Sequence, residues 1–149
     1  MIKLQVKYLS FFFAVMSLLS FFKIIYSYYL NFYLNLNTYY YCLIASIFLS
    51  VLFFKVKSRE KKFSIFDKIL TVFFGYLLIP VILSIPFYFS IYNLTFLNSY
   101  FEAISGFTST GFSIFDNIKH IDQSIILWRS STQWIGGLYF LFSIIFLID

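Results

Sequence analysis

Charge is the scarcest commodity in this sequence. Asp, Glu, Lys and Arg together make up 11% of its 149 residues, against about 25% in a soluble domain, and the mean hydropathy is +0.87. Water is therefore not the solvent of this chain. Cysteine is almost missing: Cys42 stands alone inside an apolar run, which excludes both a disulfide framework and a cysteine metal site built by this chain. Histidine also occurs once, as His120, and with the scattered carboxylates Asp116 and Asp122 it falls short of a metal-ligand set. No Gly-rich phosphate loop, internal repeat or low-complexity linker is present. No nucleophile has a base beside it, and no paired carboxylates or His cluster lie in an apolar segment, so the sequence does not read as an enzyme or as the holder of a cofactor. The net charge of +5 does not point to nucleic acid, because Lys and Arg form no stripe interleaved with stacking aromatics.

What the sequence has instead is long apolar runs, 61% hydrophobic and 26% aromatic residues overall. Crossing a hydrocarbon core takes about 20 mainly apolar residues, and Tyr8–Leu30, Tyr39–Phe54, Ile69–Tyr92 and Ile125–Ile148 qualify, the second extended by a snorkelling Lys55. The first run is too long for a signal-peptide core and no small-residue cleavage site follows it. The basic residues gather in one loop, Lys55, Lys57, Arg59, Lys61, Lys62 and Lys68 with Glu60 and Asp67, whereas Asn31–Asn37 carries no charge. The positive-inside rule then places that loop and the N-terminus, with Lys3 and Lys7, in the cytoplasm, and Asn93–Ser124 outside. Asp149 returns to the cytoplasm. The expected fold is an all-α integral membrane protein: residues 1–65 hold two leading transmembrane helices and the basic loop, and residues 66–149 a helix, a pore helix with its loop, and a last helix.

The outer stretch is the anomaly. Asn98–Phe107 is patterned as a helix of about ten residues, rising ~15 Å, half the membrane. The polar run Thr108-Ser109-Thr110-Gly111 follows. Non-helical backbone is tolerated at membrane depth only where protein or water surrounds it, so Glu102–Phe112 reads either as a re-entrant loop or as an ordinary external loop with a surface helix. Potassium sheds its water only where a ring of oxygens replaces the hydration shell, and the carbonyls of an extended loop do this without adding net charge. Ser109, Thr110, Gly111 and Phe112 have that character, with Gly111 where torsions denied to other residues are needed. The helix before them would aim the negative end of its dipole at the membrane centre.

The remaining candidates support the loop. Glu102 reads as a buried carboxylate anchoring it, with a solvated surface Glu as the alternative. Arg129, one turn into the last span, can snorkel or pair with Glu102, Asp116 or Asp122, and a structural ion pair is expected. Gln133 and the pair Gly136-Gly137 follow, the glycines inviting close packing. Pro80 and Pro86 free carbonyls in the third span, which can shape a pore or merely fit a neighbour. Lys23 is expected to snorkel. Asn93-Leu-Thr95 carries no weight as an acceptor pattern.

Two motifs, Phe101-Glu-Ala-Ile-Ser-Gly-Phe-Thr-Ser-Thr-Gly111 and Trp128-Arg-Ser-Ser-Thr-Gln-Trp-Ile-Gly-Gly137, occur in this order. The chain thereby resembles the Trk-type potassium-uptake membrane subunits of bacteria, with a weaker likeness back through Pro86-Phe87, Ser58-Arg59 and both leading helices. The resemblance implies two leading helices and four helix-pore-helix repeats around one pathway in the cytoplasmic membrane. Thr108–Gly111 would be the first repeat's filter, supplying carbonyls to transported potassium, with Glu102, Phe112 and Arg129 in support. It also implies dimers and a cytosolic nucleotide-binding ring subunit as regulatory partner. Ser109 stands where Thr is more usual, Phe112 replaces a small residue, and Tyr139 stands where another Gly commonly follows the pair. Only one of four repeats is present. The expectation is an N-terminal portion, truncated or split, whose other repeats come from a companion chain or self-association, the alternatives being a non-conducting membrane interaction protein and a homotetrameric channel.

Overall fold

The computed structural model describes residues 5–56, 64–115 and 121–148. Lys3, Lys57, Ser58, Arg59, Glu60, Lys61, Lys62, Asp116, His120 and Asp149 lie outside the described residues. The helices are α1 (Val6–Tyr29), α2 (Leu36–Lys55), α3 (Ile65–Leu83), α4 (Ile85–Tyr88), α5 (Phe96–Phe107) and α6 (Gln123–Ile148), and no strand occurs among the described residues. Among the described residues four stretches are long and apolar enough to cross a membrane: α1, α2, α6, and Ile65–Tyr88, which joins α3 to α4. The chain is an all-α, multi-pass integral membrane protein.

The helix ends follow local chemistry. Asn31 takes φ 58° just past α1, and Phe32 N–H reaches back to the Ser27 carbonyl at 2.8 Å, the left-handed stop that asparagine tolerates. Ser64 and Asp67 form a capping box, which starts the third span at Ile65 rather than at Ile69. Thr95 caps α5, its hydroxyl accepting from Asn98 N–H. The third span closes at Tyr88, short of the expected Tyr92, because residues 89–93 turn and Asn93 takes φ 49°.

Lipid is as apolar as leucine, so these helices are held by close packing and interhelical hydrogen bonds rather than by expulsion of water. α1 and α2 pack as an antiparallel hairpin locked by a reciprocal pair: Ser10 Oγ donates to the Ser50 carbonyl (2.8 Å) and Ser50 Oγ to the Ser10 carbonyl (3.1 Å). Lys23 does not snorkel to open surface but is 7% exposed within the bundle.

The two prolines fit neighbours. Pro86 has no N–H for the Ile82 carbonyl four residues back, and the helix breaks at Ser84 between α3 and α4. Cys42 Sγ–H donates to that Ile82 carbonyl at 3.6 Å, and Trp128 Nε1–H donates to the adjacent Leu83 carbonyl at 3.0 Å. Below Pro80, the Leu77 carbonyl accepts from the Tyr100 hydroxyl at 3.2 Å. The break thus joins α2 and α6 to the third span, and α5 is tied to it one turn before Pro80.

At the end that carries the α1–α2 turn, buried Asn35 ties three segments. Its Nδ2 donates to Asp122 Oδ2 (3.1 Å) and its Oδ1 accepts from Ile91 N–H (3.2 Å). Asp122 also accepts from Ser124 Oγ. This latch fixes where α6 begins, and so where Arg129 sits.

Candidate functional site: a polar strand on a half-length helix

α5 is 12 residues long, a rise of about 18 Å that cannot cross the membrane. It enters from the end that holds the α1–α2 turn and packs between α3 and α6. Three close approaches seat it. A Cβ on Gly136 would land on the backbone of Phe107, one on Gly106 would land on the Thr132 side chain, and Gly75 lies under the ring of Tyr139. Tyr139 is fully buried, donates its hydroxyl to the Val72 carbonyl at 2.9 Å, and packs its ring on those of Phe12, Tyr76 and Phe107. Tyr139 is thus the floor on which α5 stands. Gly137, by contrast, has nothing within 4 Å of where a Cβ would lie, so close packing inside the chain rests on Gly136 and Gly137 faces the open side.

Past the helix the backbone reverses its hand residue by residue. Thr108 has φ −85°, Ser109 φ 57°, Gly111 φ 81°, and Thr110 between them is not in the positive-φ region. Such alternation turns successive peptide groups to one side, whereas an ordinary strand alternates them. The hydrogen bonds show which side. Thr108, Ser109 and Thr110 N–H donate back to the carbonyls of Ile104 (2.8 Å), Gly106 (2.9 Å) and Ser105 (3.1 Å). Among the described residues no donor reaches the carbonyl of Thr108, Ser109 or Thr110, and all three residues are exposed. Three consecutive peptide oxygens therefore face outward at the negative end of the α5 dipole.

The far end of the strand is held differently. Glu102 is 0% exposed. Its carboxylate accepts from Ser113 Oγ (3.1 Å to each oxygen) and from Ile114 N–H (3.1 Å). Arg129 Nε lies 2.9 Å from Glu102 Oε1, a close ion contact rather than an aligned hydrogen bond. Arg129 Nη2 donates to the carbonyls of Gly111 (3.1 Å) and Phe112 (3.2 Å). Of the three carboxylates open to Arg129 in the sequence, its partner is Glu102. A pair this deep is held by the further contacts of its members, Ser113 and Ile114 on the carboxylate and the Gly111 and Phe112 carbonyls on Nη2. The Phe112 ring is itself exposed, so that residue's contribution here is its carbonyl.

Sequence reasoning missed Ser105 and Ser113. Ser105 Oγ donates to the Phe112 carbonyl at 2.6 Å and lies 3.1 Å from Thr110 Oγ1. The available signal was spacing: Glu102 and Ser105 stand three residues apart, on one face of a helix. Asn35 carried no comparable signal.

Residues 34–148 match the TrkH family, described as a cation transport protein. The chain belongs to this family. The match starts beside α2, so α1, which the sequence-based resemblance included, lies outside it. Among curated proteins the chain is 32% identical over 107 residues to an uncharacterized cation transporter of Methanocaldococcus jannaschii, covering 70% of this chain and 23% of that protein. It is 33% identical over 73 residues to the Trk system potassium uptake protein TrkG of Escherichia coli, covering 48% of this chain and 15% of that one. The corresponding values for the Escherichia coli potassium uptake protein TrkH are 36% over 56 residues, 37% and 12%. These alignments span less than a quarter of each relative's length. No solved structure matches the chain.

Proposed function

We propose that this chain supplies one filter segment of a Trk-type potassium pathway in the cytoplasmic membrane, with its N-terminus in the cytoplasm. The observation that carries the reading is the strand Thr108-Ser109-Thr110-Gly111. Its first three N–H groups are tied to the pore helix and the matching carbonyls are left without donors. Dehydrated potassium is stabilised by such oxygens when several units arrange them in a ring. The relatives named for potassium uptake support potassium as the cargo, and the charge of the residue 55–68 loop supports the orientation.

These 149 residues hold one pore loop, and one strand cannot surround an ion. The other segments come from further sequence, a companion chain or further copies of this chain. The open side of α6, with Ser130, Gln133, Trp134 and Gly137 around a shallow recess, supports a neighbouring unit there. A cytosolic nucleotide-binding subunit is the regulatory partner that the family resemblance suggests.

The test is growth of cells deficient in potassium uptake, expressing this chain at limiting potassium, with rubidium uptake measured in parallel. Rescue that disappears in Gly111→Val is the expected result. Rescue that persists in Gly111→Val overturns the filter role. Failure of rescue by the chain, alone and with its copurifying partners, favours a non-conducting interaction protein.

A further inference from the structure

The filter strand does not offer its oxygens evenly. The carbonyls of Thr108, Ser109 and Thr110 meet no donor among the described residues, whereas the next two each meet a cation. Arg129 Nη2 donates to the Gly111 carbonyl at 3.1 Å and to the Phe112 carbonyl at 3.2 Å. Phe112 O takes a second donor, Ser105 Oγ, at 2.6 Å. We infer that Arg129 withdraws the Gly111 and Phe112 carbonyls from ion coordination, so that in this unit the ladder of ion ligands ends at Thr110. The inference rests on the filter reading above and divides the strand that reading names.

The physical argument has three parts. A guanidinium stays protonated at any accessible pH, so the block has no protonation state in which it lifts. Its position is fixed: Arg129 is 9% exposed, and Glu102, fully buried, sits against its Nε at 2.9 Å. The carboxylate does not cancel the effect at the strand, because Nη2 is the atom that touches the strand's carbonyls, while Glu102 meets Nε and spends its other contacts on Ser113 and Ile114. A cation approaching the Gly111 oxygen meets the like charge of the guanidinium that already donates to it. Gly111 then serves through its φ of 81°, which turns the chain out of the filter, rather than through its oxygen. Arg129 is a positioning residue that limits how many rings of ligands this unit completes.

The experiment uses the full chain in bilayers, with any units that copurify, and carbonyl-carbon labels at Thr108, Ser109, Thr110, Gly111 and Phe112. Solid-state NMR compares each resonance in potassium and in N-methylglucamine. The expected result is a potassium-dependent shift at one or more of Thr108, Ser109 and Thr110, and none beyond linewidth at Gly111 and Phe112. A shift at Gly111 or Phe112 overturns the inference and leaves the filter reading standing. Silence at all five positions overturns both. The double variant Glu102→Gln with Arg129→Gln removes both charges together. In it the Gly111 resonance gains a potassium response while Phe112, still held by Ser105, stays silent. A Gly111 carbonyl that remains silent in a folded double variant shows that Arg129 is not what withholds it. Where that variant does not fold, the wild-type comparison decides alone.

Discussion

The adjacent glycines of α6 give the sharpest test of how the pore helix is seated, since one substitution at two neighbouring positions is expected to move stability in opposite directions. In a helix interior Gly→Ala gains about 0.5–1 kcal/mol from backbone entropy. Gly137 faces open space, so Gly137→Ala keeps that gain. At Gly136 the new methyl would land on the carbonyl carbon, oxygen and Cα of Phe107, backbone atoms that cannot rotate aside as a side chain would. A clash with rigid backbone falls in the upper part of the range for overpacking, about 2–3 kcal/mol, and outweighs the entropy gain by about 1–2 kcal/mol. At roughly 2–4 °C per kcal/mol for a chain of this size, Gly136→Ala melts about 2–8 °C below wild type and Gly137→Ala at or slightly above it. The chain carries its own reporter: Cys42 is the sole cysteine and is 0% exposed, so a thiol-reactive fluorophore in detergent reads unfolding directly. Equal melting of the two variants, or a more stable Gly136→Ala, would refute the placement of the pore helix against α6.

Further outcomes follow from the contacts around the loop. Glu102→Gln and Arg129→Gln each strand a buried charge and lower stability by about 3–5 kcal/mol, while the double variant loses clearly less than the sum in a double-mutant cycle; strict additivity would deny the pair. Trp128→Phe orphans the Leu83 carbonyl beside the proline break and costs about 1–3 kcal/mol, read by the same melting assay, and no change would mean that carbonyl finds another donor. Ser109 is exposed with φ 57°, so Ser109→Val adds backbone strain of about 1–2 kcal/mol without any loss of packing. Ser109→Gly leaves stability within about 1 kcal/mol of wild type. If both variants melt together, the left-handed turn at Ser109 is wrong.

Much of this architecture was legible because membrane spans are written in length and hydropathy alone. The four long runs, the half-length helix and the polar strand after it all stand close to where the sequence put them. Boundaries moved where a cap decided them, as at Ser64 with Asp67, a pattern readable at the time but lost within the loop's charge. Glu102 was legible as a buried carboxylate because an ionisable residue between Phe101 and Ala103 demands a partner; which of three carboxylates Arg129 would choose was not, since the answer depends on the start of α6, set by Asn35 from far away in sequence. Tyr139 reads in sequence as a change of packing around the loop, and only its three-dimensional neighbour Gly75, on α3, shows the space that its ring fills. Lys23 looked free to snorkel because a linear reading cannot see that this face of α1 turns into the bundle.

The direction of the loop's own ties also bears on assembly. The described N–H groups and hydroxyls that hold Thr108–Ser113 bond to α5 itself or to neighbouring residues of the strand, and the one long-range clamp comes from Arg129 on α6. The strand's shape is therefore set within one pore-loop unit before any neighbour arrives. A neighbour meets a finished edge: three donor-free carbonyls, the exposed Phe112 ring, and beside them Gly137 and Trp134 on the open side of α6. If the strand serves as proposed, affinity for an ion arises from bringing such edges into one ring rather than from folding the loop around the ion. For this chain that separates two questions a transport assay would merge, whether the filter strand is correctly built and whether enough of them are present. The melting experiments answer the first without a bound ion.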